Sequence, residues 1–170
     1  MGDLVESGGG ALPEVRSFER LDKAWGVLDA VRTAVATAYE PTAGLLAQID
    51  QALATSRQHS AEIADAAQPV PRGVLALHLT LLMSAYPNSG QQNAQAYGRL
   101  LREDVLSLEP VAGAIDLACR RWRRKSRFLP AIAEMMDEVR SAQSQIEGAV
   151  EFVRRLPALR AEMASKISSP

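Results

Sequence analysis

The chain of 170 residues is short of the side chains on which most chemistry depends: it has one cysteine, two histidines and 5 % aromatic residues. The single thiol, Cys119, cannot close an internal disulfide and fits a reducing compartment. His59 and His78 have no second histidine or cysteine at ligand spacing, so no metal site is expected. The only consecutive glycines, Gly8-Gly9-Gly10, do not sit between a strand and a helix, which excludes a phosphate loop built on them. Carboxylates are scattered rather than paired, and nothing aligns a nucleophile with a base. The expectation is a protein that is not an enzyme and has no cofactor. No apolar run reaches the roughly 18–20 residues of a membrane span. The longest, Gly73 to Ala85, contains His78 and Thr80, so no membrane partner is expected. The opening Met1 to Pro13 has neither a basic nor an apolar segment of the secretory type, and a cytoplasmic location is expected. Alternating runs of Val, Ile and Thr, the signature of strands, are missing as well.

What remains is helix-forming. Hydrophobic residues make up 47 % of the chain, much of it alanine, a composition that favours closely packed helices over a sheet. The fold class expected is all-α: a small helical bundle with an N-terminal helical hairpin and a long C-terminal helix. Residues 1–15 read as a flexible leader. In the hairpin, over 16–68, Phe18, Leu21, Trp25, Leu28, Val31 and Val35 recur three or four apart and mark a helix ending near Tyr39 and Pro41. Leu45, Leu46, Ile49 and Leu53 mark a second, with a short continuation through Ile63. Pro69 and Pro71 then punctuate the chain and suggest a boundary. Beyond it lies a helical domain over 72–140. Val74 to Pro87 is apolar nearly all round and reads as a buried helix. Asn88 to Asn93 forms a loop before a short helix around Tyr97, Leu100 and Leu101. Ser107 is placed to cap the next helix, with Glu109 and Pro110 in its first turn. Phe128-Leu129-Pro130 opens the long helix of 130–166, which Pro157 should kink or end.

Two features offer function. The net charge of −1 conceals a local excess: Arg120, Arg121, Arg123, Arg124, Lys125 and Arg127 place six cations in eight residues, leaving 13 basic against 20 acidic residues elsewhere. On a helix end Arg120, Arg123, Arg124 and Arg127 would share a face and hold phosphates or an acidic surface, with Trp122 free to stack on a base or turn inward. The plain reading is that these cations favour the helix dipole and are solvated. The second feature is a heptad-like series, Ile132, Met135, Val139, Ala142, Ile146, Ala149, Val153 and Leu156. It either packs on the first helix or forms a seam for a second copy or a partner helix.

Residues 81–139 resemble the small helical domain of phage helicase loaders, also called replisome organisers. The resemblance is carried by Ala85-Tyr86-Pro87-Asn88, by Tyr97 with Leu100-Leu101, by Ala114-Ile115, and by Phe128-Leu129-Pro130-Ala131-Ile132-Ala133-Glu134-Met135. In that family the last tract usually reads Phe-Pro-Pro-x-x-x-Glu, and Leu129 stands here in place of the first proline. The resemblance implies a phage or prophage-type DNA replication accessory protein, an adaptor that binds a hexameric replicative helicase or an initiator without hydrolysing ATP. DNA is a possible second partner through Arg120 to Arg127. The rival reading is a structural or assembly protein, a virion or scaffolding component, that forms a homo-oligomer through the coiled-coil-like seam.

Overall fold

A computed structural model describes residues 17–87 and 93–168; the leader of 1–15 and most of the loop after Pro87 lie outside the described residues. Seven helices account for the described chain: α1 Leu21–Thr37, α2 Ala43–Gln58, α3 Ser60–Ala66, α4 Arg72–Ser84, α5 Ala94–Leu106, α6 Ala112–Lys125 and α7 Ile132–Ser168. The fold is an all-α bundle with an N-terminal helical hairpin and a long C-terminal helix. Among the described residues no helix is long and apolar enough to cross a membrane.

Local chemistry sets most of the helix ends. Thr42 caps α2 by accepting the Leu45 N–H at 3.1 Å, and Asn93 caps α5 by accepting that of Ala96 at 2.9 Å. Glu134 reaches back to the Ala131 N–H at 2.8 Å, half of a capping box at the start of α7. The start of α6 differs from the expectation. Ser107 ends α5, its Oγ donating to the Asp104 carbonyl at 2.6 Å, and α6 begins only after Val111, which has no side-chain cap. Between them Glu109 has φ 48°. Pro110 disfavours ordinary helical geometry at the residue before it, and a left-handed residue there breaks the path between the two helices.

The helix α7 is 37 residues long, about 55 Å at 1.5 Å per residue. It neither ends at Pro157 nor needs to: Leu156 is fully buried beside that proline, and the helix continues to Ser168. Packing along both sides outweighs the one lost backbone hydrogen bond. Its first part runs along α6 and α5, and α2 and α1 pack on it as well, with Arg160 Nε meeting Asp50 at 2.5 Å. Met135, Val139, Ala142, Ile146 and Leu156 are buried. The heptad seam is therefore filled from within the chain. Only Ile132, Ala149 and Val153 keep partial exposure, so the surface required for a second copy along Ile132 to Leu156 is occupied by the hairpin and α6.

The core is continuous across the prolines that mark a boundary in the sequence. Val70 donates its N–H to the Pro110 carbonyl at 2.9 Å, and Ala112 to the Gln68 carbonyl at 2.8 Å, pinning the α3–α4 connection to the start of α6. Gly113 permits this approach, since a Cβ there would lie 2.9 Å from Ala66 Cβ. The helix α4 is less buried than its composition implies. Leu75, His78, Leu79 and Leu82 face inward, chiefly toward α5 and α6, but Leu81 is 48 % exposed.

Candidate functional site

The basic run of α6 is divided by the fold into spent and unspent charge. Arg120 points inward. Its Nε donates to Asp116 Oδ2 at 2.9 Å, and its two terminal nitrogens donate to the Asp22 carboxylate at 2.7 and 3.0 Å. Asp116 also accepts the Phe18 N–H at 2.9 Å, so this triad ties α6 to the entry of α1. Burial would favour a neutral Arg120, but the hydrogen bond to Asp22 and the charge of Asp116 outweigh it and raise its pKa further. Arg121 bonds Gln145 and lies 4.0 Å from Glu138. Arg124 pairs with Glu19 at 2.6 Å and stands 3.8 Å from Asp22. Lys125 pairs with Glu138 and lies 4.7 Å from the centre of the Trp122 ring. Arg123 and Arg127 are exposed, and among the described residues neither has an ion-pair partner.

Trp122 is buried and directs its Nε1–H to the Phe128 carbonyl at 2.9 Å. It cannot stack on a base, and Arg120 cannot reach a phosphate. Arg127 lies beyond the last turn of α6, so the expected four-arginine face does not form. Four carboxylates, Glu19, Asp22, Asp116 and Glu138, had not been matched to these cations in the sequence. Asp116 carried a legible signal, four residues before Arg120 on one helix; Glu138 carried another, as an acid beside Val139 on the apolar side of α7.

The connection from α6 to α7 is held by aromatic tips. Tyr86 Oη donates to the Ser126 carbonyl at 3.2 Å, Trp122 Nε1 to that of Phe128, and Tyr97 Oη to that of Pro130 at 2.7 Å. Alternate carbonyls thus face the bundle, each with its own donor. Ser126, itself extended, adds a local clasp: its Oγ accepts the Phe128 N–H at 3.1 Å and lies 3.0 Å from the Phe128 carbonyl. Tyr86 and Tyr97 thus pack their rings on the core and place their hydroxyls on the connection, as expected of a phenol that needs a partner when it is buried. Burial, with Glu134 nearby, pushes the Tyr97 hydroxyl up to about 12, so it remains a donor at any physiological pH. On this fixed backbone the Phe128 ring stands 78 % exposed. An exposed apolar ring on a hydrogen-bonded connection, at the same end of α6 as two guanidinium groups with no ion-pair partner among the described residues, is the strongest candidate surface on the described molecule.

His78 and Cys119 are enclosed, whereas His59 is partly exposed with Nδ1 3.8 Å from Glu62. Burial lowers the pKa of His78; Arg123 and Arg120 push the same way, and Asp116 opposes them. Burial pushes the Cys119 thiol up to about 12. Among the described residues no three His, Cys, Asp or Glu side chains gather into a group able to hold a metal ion. Compared with protein-family models, curated proteins and solved structures, the chain matches none significantly.

Proposed function

We propose that this protein is a non-catalytic adaptor that acts in the cytoplasm by binding macromolecules, and that the corner between α6 and α7 docks an anionic surface, DNA first among them. One observation carries the reading: Phe128 stands exposed on a hydrogen-bonded connection next to Arg127 in the chain, with Arg123 at the same helix end and neither guanidinium group paired among the described residues. Stacking on the ring and charge pairing at the arginines are complementary to a nucleic acid. The resemblance of residues 81–139 to helicase-loader domains makes a replicative helicase or an initiator the protein partner to test, and supports a role in DNA replication.

The charge division makes the DNA part quantitative. With two free cations the logarithm of the binding constant should fall against the logarithm of salt concentration with a slope of about −2; six free cations would give about −5. Arg123→Gln with Arg127→Gln should remove most of that slope, and Phe128→Ala should weaken binding at every salt concentration. Absence of salt-sensitive DNA binding, together with no helicase recovered in a pull-down, refutes the proposal. The assembly reading is less favoured, since Met135, Val139, Ile146 and Leu156 of the seam it requires are buried within the chain and Ile132 and Val153 partly so.

A further inference from the structure

The bundle carries a second concave feature that the corner does not use: an open groove of about 660 Å³ between α4 and α5. Its floor is apolar, made by Leu79 and Met83 of α4 and Leu129 of the α6–α7 connection. Gly98 keeps it open, because a Cβ at that position would come within 3.2 Å of the Met83 sulfur and a longer side chain would project over the floor. The walls run from Ala76 to Ser84 and from Ala94 to Arg102, each about 12 Å at 1.5 Å per residue, or two turns of helix.

Charge and hydrogen bonding select the occupant. Arg99 and Arg102 line the groove and no carboxylate does. Arg99 is 3.9 Å from Glu103 with both side chains more than half exposed, and among the described residues Arg102 has no ion-pair partner. A pocket of this volume can hold a small molecule, but small ligands are oriented by convergent polar groups. Here the hydroxyls of Thr80 and Ser84 are already directed to the carbonyls of Ala76 and Thr80, both at 2.8 Å. An apolar floor with methionine in it, two helical walls of two turns each and a cationic rim instead fit a helix with one apolar and one acidic face.

We propose that the groove between α4 and α5 binds an acidic amphipathic helix of a partner protein, with its apolar face on Leu79, Met83 and Leu129 and its carboxylates against Arg99 and Arg102. This rests on the adaptor reading and specifies its protein partner by chemistry.

The test titrates the full chain with a labelled synthetic helix of about four turns, leucine at the spacing of one helix face and glutamate on its flanks, and with the same helix carrying lysine for glutamate. The glutamate helix should bind at least ten-fold more tightly than the lysine helix. Arg99→Glu with Arg102→Glu, both on exposed side chains, should cost the glutamate helix ten-fold or more while circular dichroism stays unchanged. Gly98→Leu should abolish binding of either helix. Equal affinity for the two helices, or indifference to the charge reversal, overturns the proposal. So does displacement of the bound helix by an equal concentration of oligonucleotide, which would make the groove a general polyanion site. Oligonucleotide binding by Arg123→Gln with Arg127→Gln, measured in parallel, separates the two ideas: its loss tests the corner alone, and loss of the helix with DNA binding intact removes the groove alone.

Discussion

Replacing Arg120 with methionine keeps an unbranched apolar stem and removes the guanidinium group with its charge. The Arg120 side chain is 7 % exposed, Asp116 is 4 % and Asp22 is 35 %. After the substitution Asp22 can turn to water, whereas Asp116 stays enclosed with the Phe18 N–H as its remaining donor. Removing one partner of a buried ion pair typically costs about 3–5 kcal/mol. Because one of the two carboxylates here is rescued by solvent, the lower end, about 3 kcal/mol, is expected. With an m-value of about 2 kcal/mol per molar in urea, the midpoint should fall by about 1.5 M at unchanged slope. Far-ultraviolet circular dichroism against urea measures this directly. The mechanism adds a sharper demand. Arg120→Met combined with Asp116→Asn removes the orphaned charge while keeping an acceptor for Phe18, so the double variant should be more stable than the sum of the single effects by about 1 kcal/mol or more. A loss below about 0.5 kcal/mol for Arg120→Met, or strict additivity in the double variant, would refute the claim that this triad holds α1 to α6.

Three other outcomes follow from single groups. Cys119, buried with its pKa at about 12, should resist a thiol-specific reagent at pH 8 until the chain is unfolded; labelling of the native protein within minutes contradicts the burial. His78 has a folded pKa below its ordinary value of 6.5, so the unfolded chain takes up the extra proton first: its contribution to stability is intact above pH 6.5 and is lost progressively as pH falls through 6.5 toward the folded value. The urea midpoint of the native chain should therefore drop more between pH 7.5 and pH 5.5 than that of His78→Gln, and equal drops refute it. Glu109→Gly relieves a left-handed residue worth about 1–2 kcal/mol of strain at the cost of unfolded-state freedom of about 0.5–1 kcal/mol, so a small net gain or no change is expected, and a marked loss in a urea melt shows that the Glu109 side chain has a role beyond the turn.

Periodicity made the rods legible because burial acts on every third or fourth position independently of what covers it. Leu21, Trp25 and Leu28 on α1, and Met135, Val139 and Ile146 on α7, are buried as their spacing requires. The same spacing does not say whose surface completes the stripe, which is why a seam open to another chain and a seam filled by α6 and α2 look alike in sequence. Helix ends were legible where one residue decides them, as at Thr42 and Asn93, and obscure where geometry does, as at Glu109. The candidate site was only half legible. Six cations in eight residues are visible, but apart from Asp116 on α6 itself the carboxylates that pair with four of them come from α1, α7 and the turn before α1, up to 105 residues away along the chain. Phe128 is visible in the sequence only as the start of the long helix and as part of a resemblance, since the connection beneath it is held by three donors from α5, α6 and the residues after α4.

The buried and exposed side chains of the basic run and the residue after it should therefore separate in experiment. Arg120 and Trp122 are held within the fold by hydrogen bonds, one to the entry of α1 and one to the start of α7's approach, so substituting them alters stability first and binding only as a consequence. The side chains of Arg123, Arg127 and Phe128 are exposed and have no hydrogen bond or ion pair among the described residues, and surface positions of that kind usually change stability by no more than about 0.5 kcal/mol. If the corner binds as proposed, the donors on the carbonyls of Ser126, Phe128 and Pro130 would hold the backbone beneath the exposed Phe128 and so lower the ordering cost of a contact made there.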